Sequence, residues 1–214
     1  MATFQDLLNT GYCSESGFGG TSLNYCPFDI TRLKILWRHP LNFKYADDFE
    51  FTLPNLLALV QTYKLTPIGK TKNPTWTSPE NGVQTFEGGD KAVTDKFPYE
   101  ASVNLTNGYQ YYQVLCEISK AGFHSFTLID DSDNIIVIQN GEGVVRGINS
   151  EFFNVGPYMP QGNDTAMVKV DIQFNDRKAI ETSLKFLRSE SYNFSPEEVV
   201  GIDDASITIL AAPV

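Results

Sequence analysis

The chain has 214 residues, of which 26 are acidic and 16 basic, so its formal net charge is −10 at pH 7. Nucleic-acid binders normally carry a basic excess that neutralises phosphates, and this balance has the opposite sign. The longest nearly apolar run, residues 56–60, is far shorter than the about 20 residues of a membrane-spanning helix. We therefore expect a soluble protein without a signal peptide, folded as a single domain over residues 1–214.

The three cysteines form an odd and widely spaced set: Cys13, Cys26 and Cys116. A secreted disulfide framework has an even number and usually more of them. Cys13 and Cys26 share a segment rich in Gly, Ser and Asn, and whether they pair stays open. We expect reduced thiols in a protein made in the cytosol.

The first half of the chain begins with residues 1–30, where Gly17–Gly20 disfavours regular structure and predicts an extended arm. Hydrophobic periodicity and Pro and Gly positions predict the elements that follow. The first is a strand over 30–37 with one solvent-exposed face, which Pro40 ends. It is followed by a helix over 54–63, a strand over 65–68, a loop over 69–82, and a hairpin of 83–86 with 93–105 joined by 87–90.

The second half is predicted from the same signals. Its elements are a helix over 109–120, a hairpin of 123–129 with 135–138, one long strand or a strand pair over 144–155, a loop over 157–163, a strand over 166–174, a helix over 177–187 with Asp176 as its N-cap, a short helix or turn over 195–198, and a strand over 207–210.

This order of elements favours the α+β class, mainly β. We expect an antiparallel sheet or barrel-like sandwich with two or three flanking helices. The β-rich core spans residues 31–187, between the N-terminal arm (1–30) and a C-terminal segment (188–214).

The acidic run Asp130–Asn134, with Glu142 nearby, is the first candidate for a metal site. A calcium loop places ligands at alternate positions and a glycine at the sixth. Counted from Asp131, the fifth and sixth positions are Ile135 and Ile136, so the pattern fails. Because Asp and Asn favour tight turns, we interpret the run as a turn between two strands.

The two histidines, His39 and His124, lack the spacing of a zinc site with each other or with a cysteine. His39 precedes Pro40 and is predicted in a turn, and His124 is predicted in a strand. Both are expected to have structural or surface roles.

No nucleophile or phosphate-binding motif is present in the sequence. There is no G-x-S-x-G elbow, and Gly17–Gly20 lacks the following Lys-Ser or Lys-Thr of a phosphate loop. Cys116 lies on a predicted helix as a small buried apolar residue. The adjacent carboxylates at 197–198 and at 203–204 are expected in solvated loops. We therefore predict no catalytic residue, no cofactor and no metal ligand, and a protein that is not an enzyme.

The remaining features suit a subunit that contacts copies of itself. The chain has a segment at each end that can pair with a neighbour's sheet edge, and its long loops carry Trp76 and Tyr158. Ring-forming contacts are heterologous. The contacts between subunits are expected in the N-terminal arm, the loops 69–82 and 156–165, and the C-terminal segment.

A series of features in the middle of the chain carries a resemblance. In order, they are the Gly-rich stretch between Cys13 and Cys26, Leu65–Ile68, Glu80–Gly89, an aromatic-rich strand, the helix that opens at Asn107–Gly108, Phe126–Asp131, Val144–Ile148 and Gly156–Pro160. Over roughly residues 10–185 this order resembles virion structural proteins of tailed phages that infect Bacteroidetes, of the kind that build tail tubes or neck rings.

The resemblance implies a tail-tube subunit that forms stacked rings around a DNA channel. The ring would be a homo-oligomer, a hexamer on this expectation, with twelve copies as the other order left open. Its partners would be neighbouring tail or neck proteins of the virion, where the protein would be located after assembly in the host cytoplasm. A negatively charged lumen would let genomic DNA pass without specific binding, which fits the charge of −10.

Two alternatives stay open. The first is a head-to-tail connector or neck ring of a tailed phage. The second belongs to another class, a carbohydrate-binding β-sandwich that uses Trp37, Trp76 and loop tyrosines as stacking platforms, although Trp37 better suits a core position.

Overall fold

The computed structural model describes residues 3–10, 32–69, 71–77, 81–85, 90–106, 108–120, 122–158 and 167–201. The α-helices in these ranges are α1 (Phe4–Thr10), α2 (Leu53–Gln61), α3 (Tyr109–Lys120) and α4 (Arg177–Ser183). Two short 3₁₀ helices, Ser189–Ser191 and Pro196–Glu198, follow near the end of the described chain.

The β-strands in the same ranges are β1 (Leu33–Pro40), β2 (Thr66–Ile68), β3 (Thr71–Thr77), β4 (Asn81–Thr85), β5 (Lys91–Lys96), β6 (Tyr99–Leu105), β7 (His124–Asp130), β8 (Ile135–Gln139), β9 (Val145–Arg146), β10 (Ile148–Val155), β11 (Val168–Phe174) and β12 (Leu184–Leu187).

All strands except β4 and β5 form one antiparallel sheet. Its main path runs β12-β8-β7-β10-β11-β6-β3, with β1 beside β7, β2 beside β1 and β9 beside β8. Strand β10 pairs with β7 at Ile148 and Asn149 and with β11 over residues 150–155. We call β1, β2, β7, β8, β9 and β12 the inner half of the sheet, and β3, β6, β10 and β11 the outer half. The protein is therefore mainly β and sandwich-like, and the sheet is not closed into a barrel.

One hydrophobic core lies between the two halves. Phe126 of β7 contacts Phe153 of β10 and Phe174 of β11, with ring centroids 5.6 Å and 6.3 Å away. Buried aliphatic residues of both halves surround them: Leu36, Leu128, Ile136, Ile138, Val103, Val168, Val170 and Ile172. Because side chains alternate along a strand, each half turns one apolar face to this core.

A second core lies on the opposite face of the inner half. It is formed by Ile35, Trp37, Ile129, Ile135 and Val137 from the strands and is covered by α1, α2, aromatic residues of the segment 43–51, and Tyr192 and Phe194. Strands β7 and β8 are consequently buried along their whole length. A strand covered on both faces has a continuous apolar sequence rather than an alternating one, as in Ile135–Ile138.

Several predictions are confirmed by the structure. The helices α2 and α3, the hairpin of β7 and β8, and the strands β2 and β11 lie within a residue or two of their expected positions. Of the two alternatives left open over 144–155, the structure has two strands, β9 and β10, with Gly147 between them. The expected strand over 207–210 lies outside the described residues.

The N-terminal residues differ from the expected extended arm. Residues 4–10 form α1, and its side chains Phe4 and Leu8 are fully buried in the second core. Phe4 stacks on Phe51 with ring centroids 4.2 Å apart, and the backbone N–H of Phe4 donates to the carbonyl oxygen of Phe49. This part of the chain is therefore integral to the core, and residues 11–31 lie outside the described chain.

The prediction of a loop over 69–82 is wrong for residues 71–77, which form strand β3. This strand pairs with β6 at the end of the outer half. Asn73, which has a φ of 46°, and Pro74 interrupt the register between Lys72 and Thr75. Proline and a bulge are both tolerated at a sheet edge, because the missing N–H then faces away from the ladder.

The helix expected over 177–187 is wrong in its second half. Helix α4 ends at Ser183, and residues 184–187 form β12, which pairs with β8. The hairpin expected between 83–86 and 93–105 is also divided. Strand β4 pairs with β5, while β6 is a separate strand after Phe97 and Pro98 and joins the large sheet. In both places pairing with a distant strand ends the local element.

Strand β1 begins at Leu33 and continues to Pro40. Contrary to the expected strand with one solvent-exposed face, it has no continuously exposed face. Leu36 faces the core between the halves, and Ile35 and Trp37 face the second core. Only Lys34 and Arg38 keep part of their surface exposed before the final proline. The position of β1 beside the buried strand β7 is the reason.

Candidate functional site

The acidic run after β7 forms the expected tight turn. Oδ1 of Asp130 accepts hydrogen bonds from the backbone N–H groups of Ser132 and Asn134, at 2.9 Å and 2.8 Å. Asp133 forms an ion pair with Lys34 at 2.9 Å. These carboxylates are used within the fold, and the described residues contain no group of three or more potential metal ligands.

His39 lies in β1 rather than in a turn and is fully buried. Its Nδ1 donates to the carbonyl oxygen of Lys64 at 2.8 Å, so its Nε2 is the acceptor for the Thr127 hydroxyl at 3.1 Å. The ring stacks on Phe43, with centroids 4.5 Å apart. Burial lowers the pKa of His39 to about 4, which makes the neutral, structural form the stable one.

His124 lies in β7, on the face toward the core between the halves. Nε of Arg38 donates to its Nδ1 at 3.1 Å, and its own Nε2 donates to the carbonyl oxygen of Ile118 at 3.0 Å. Burial, together with the nearby positive charge of Arg38, lowers the pKa of His124 to about 4. Both ring nitrogens are satisfied, which supports the structural role.

The other sequence candidates are not brought together into a site. Cys116 is half-buried on α3 and close to the Tyr112 hydroxyl. The adjacent carboxylates Glu197 and Glu198 lie in a 3₁₀ helix and not in a loop. Glu198 belongs to a capping box with Ser195, and Glu197 forms an ion pair with Lys34 at 2.9 Å. Cys13, Cys26, the glycines 17–20 and the carboxylates 203–204 lie outside the described residues.

Asp176 has a structural role that the sequence did not indicate. Its side chain makes no capping hydrogen bond to α4. The carboxylate instead accepts from Nη1 of Arg146 at 2.5 Å and from the backbone N–H of Asn149 at 2.7 Å. Residues 30 positions apart form this contact, and nothing in the local sequence pattern of either residue points to it.

The two tryptophans pack against the two hydrophobic cores. Trp37 is fully buried in the second core. Trp76 of β3 pairs with Ala101, and its ring packs 5.4 Å from Phe174 and 5.7 Å from Tyr99. Trp76 is therefore partly buried against the core between the halves, and carbohydrate binding through these two residues stays a prediction.

A free sheet edge and a separate hairpin lie next to each other in the chain. Strand β3 pairs with β6 on one side, and no strand in the described ranges pairs with its other side. Strands β4 and β5 follow and pair only with each other within the same ranges. Val83 on this hairpin has 55% of its surface exposed. Free backbone groups at an edge are available to a strand of another chain.

A shallow groove of about 690 Å³ covers the solvent side of the outer half. Its polar lining lies in cross-strand rows: Phe152, Gln173, Glu100 and Thr77 form one row, Asp171, Ser102 and Thr75 the second, and Lys169 and Asn104 the third. Phe152 keeps 48% of its surface exposed among these polar side chains. We call this surface the outer groove.

No helix in the described part of the chain is both long and apolar enough to span a membrane. No protein-family model matches the sequence, and no curated protein matches it significantly. The described residues offer three candidate interaction surfaces: the outer groove, the free edge of β3 and the β4–β5 hairpin.

Proposed function

We propose that this protein is a structural subunit of a phage tail that assembles with copies of itself into stacked rings around a DNA channel. The observation that carries the proposal is the β4–β5 hairpin, which has no third strand in the described residues. A two-stranded ribbon is only marginally stable in water by itself. Packing of the hairpin against a neighbouring subunit would supply the missing contacts.

The free edge of β3 supports the same proposal. A hairpin on one subunit and an open edge on another make a head-to-tail contact, and such contacts close into rings when the rotation permits. Addition of a strand to an open edge supplies main-chain hydrogen bonds without a large apolar patch. The resemblance to tail-tube and neck-ring proteins favours a ring with six copies, and a head-to-tail connector is the alternative within this class.

The charge of the chain also fits a conduit for DNA. An excess of ten negative charges repels phosphates over about one Debye length, which is about 8 Å at physiological salt. DNA would therefore pass through the ring without specific binding.

The test is assembly of the purified protein, measured by mass photometry and negative-stain electron microscopy. The wild-type chain should form closed rings in a concentration-dependent manner. A variant in which residues 81–96 are replaced by a short Gly-Ser linker should fold with the same urea midpoint and remain monomeric.

The matched control replaces exposed Phe123 with Ala, because Phe123 belongs to neither strand of the hairpin and does not line the groove. This variant should assemble like the wild type. A wild-type protein that stays monomeric at high concentration, or a hairpin variant that still forms rings, contradicts the proposal.

A further inference from the structure

The outer groove has the size of a site for a small ligand rather than of an interface between proteins. Strands are about 4.8 Å apart and rise about 3.3 Å per residue, so four strands with about five residues each give a face of roughly 15 Å by 15 Å. A stable protein interface buries about 800 Å² on each partner, which is well above the area of this face.

The groove carries few charges, and most of them are engaged by neighbouring side chains. One positive side chain, Lys169, and two negative ones, Glu100 and Asp171, line it, whereas the whole chain has a net charge of −10. Nζ of Lys169 lies 2.9 Å from a carboxylate oxygen of Asp171, and the amide of Gln173 donates to Glu100 at 3.1 Å. The excess of one negative charge disfavours a polyanion and is too small to select a polycation.

The lining chemistry is that of hydroxyl recognition. Amide and hydroxyl groups line the groove together with the exposed ring of Phe152 and the two carboxylates: Asn73, Asn104, Ser102, Thr75, Thr77 and Gln173. Amides and hydroxyls both donate and accept hydrogen bonds, and an ionised carboxylate has about four acceptor positions. An aromatic ring among such groups offers an apolar surface to a ligand that is otherwise polar.

From these features we propose that the outer groove binds a neutral oligosaccharide chain. Sugar hydroxyls would bond to the amide, hydroxyl and carboxylate groups of the rows, and the C–H face of one sugar ring would lie on Phe152. This site differs from the expected one at Trp37 and Trp76, because both tryptophans face inward. The inference is independent of ring assembly and applies equally to a monomer.

The test is isothermal titration calorimetry of the full chain with neutral hexasaccharides, namely cellohexaose, xylohexaose, maltohexaose and mannohexaose, and with acidic hexagalacturonate as comparator. At least one neutral chain should bind, and hexagalacturonate should not. Phe152→Ala should weaken binding about tenfold, the order expected for loss of one aromatic contact, and Phe152→Tyr should restore it.

The matched control is Phe123→Ala, because Phe123 is similarly exposed, at 55% against 48% for Phe152, and does not line the groove. This variant should bind like the wild type. Absence of binding by every neutral chain at millimolar concentration overturns the proposal, as does equal weakening by the two alanine variants.

Binding of hexagalacturonate alone also overturns it, because the ligand would then be charged. Sedimentation velocity of Phe152→Ala tests whether a second copy of the chain covers the groove instead of an oligosaccharide. If the substitution changes the oligomeric state of the protein, a second copy of the chain covers the groove and the oligosaccharide proposal is wrong. An unchanged oligomeric state together with selective loss of binding supports it.

Discussion

Arg146 and Asp176 form a bidentate ion pair at the point where the two halves of the sheet separate. Nη1 lies 2.5 Å from Oδ2, and Nη2 lies 3.2 Å from Oδ1. Asp176 also accepts from the backbone N–H of Asn149 in β10. The contact thus joins β9, the start of β10 and the residue before α4, three segments that are distant in sequence.

Loss of this ion pair should destabilise the fold. Both side chains are about four-fifths buried, with exposures of 20% and 18%. We expect Asp176→Ala to lower the free energy of unfolding by about 2 kcal/mol, since hydrogen bonds to charged groups contribute about 1.5–3 kcal/mol. Urea denaturation followed by circular dichroism measures the change.

The matched control for this prediction is Asp131→Ala. Asp131 and Arg32 form an exposed ion pair at 3.5 Å, with side-chain exposures of 49% and 66%. Exposed pairs contribute about 0–1 kcal/mol, so the control should differ little from the wild type. Equal losses in the two variants would show that the Arg146–Asp176 contact has no special weight.

Gly147 should not accept a side chain. A Cβ at this position would lie 2.7 Å from Oγ of Ser125 and 2.9 Å from the backbone of Phe126, because β10 begins to pair with β7 at the next residue, Ile148. Gly147→Ala should cost about 1–3 kcal/mol of unfolding free energy, the usual range for an overpacked site.

Gly141 provides the comparison, since a Cβ there would meet nothing within 4 Å. Gly141→Ala should leave the urea midpoint unchanged or raise it slightly, because alanine restricts the unfolded chain. The prediction for Gly147 fails if the two alanine variants have the same midpoint.

Local patterns were sufficient for elements whose boundaries are set by nearby residues. The turn at Asp130–Asn134 was predicted because Asp and Asn hydrogen-bond their own backbone, and the structure has those bonds. Helix α3 was predicted from apolar residues at spacings of three and four, and Leu115 is its buried residue. Such signals need no knowledge of the distant chain.

Elements that depend on a distant partner were missed. Residues 184–187 continue a helical pattern in the sequence, but they become a strand because β8 offers a free edge. Strand β3 contains Asn73 and Pro74, which are loop residues except at an edge with a bulge. In the candidate site, the rows of the outer groove come from strands as far apart in the sequence as β3 (Thr71–Thr77) and β11 (Val168–Phe174), so no local motif marks them.

The stability of the protein should decrease between pH 6.5 and pH 4. Burial lowers the pKa of His39 from 6.5 to about 4, so in this interval the unfolded chain takes up a proton that the folded chain does not. Stability therefore falls as the pH falls. The contribution of His39 is about 3 kcal/mol over the whole interval, at 1.36 kcal/mol per pKa unit.

The measurement is the free energy of unfolding in urea at pH 7, 5.5 and 4.5. His39→Gln keeps a hydrogen-bonding side chain without a titrating group, so its stability should be lower at pH 7 but should decline less toward pH 4.5. The pKa of His124 is also lowered, so the His39→Gln variant should still lose some stability as the pH falls. Parallel pH profiles for the wild type and His39→Gln would contradict the role of His39.

Phe4 should be essential for the fold, although it is only the fourth residue of the sequence. Its side chain is 1% exposed and contacts Phe51 and Tyr45, with centroids 4.2 Å and 4.9 Å away. Phe4→Ala should lower the free energy of unfolding by about 3–5 kcal/mol, as for other buried phenylalanines.

Deletion of residues 1–10 should likewise give a destabilised chain rather than a folded monomer that fails to assemble. Urea denaturation of both variants, with exposed Phe123→Ala as the control, distinguishes these outcomes. A truncated chain with the wild-type midpoint would show that α1 contributes no stability and acts only as an arm.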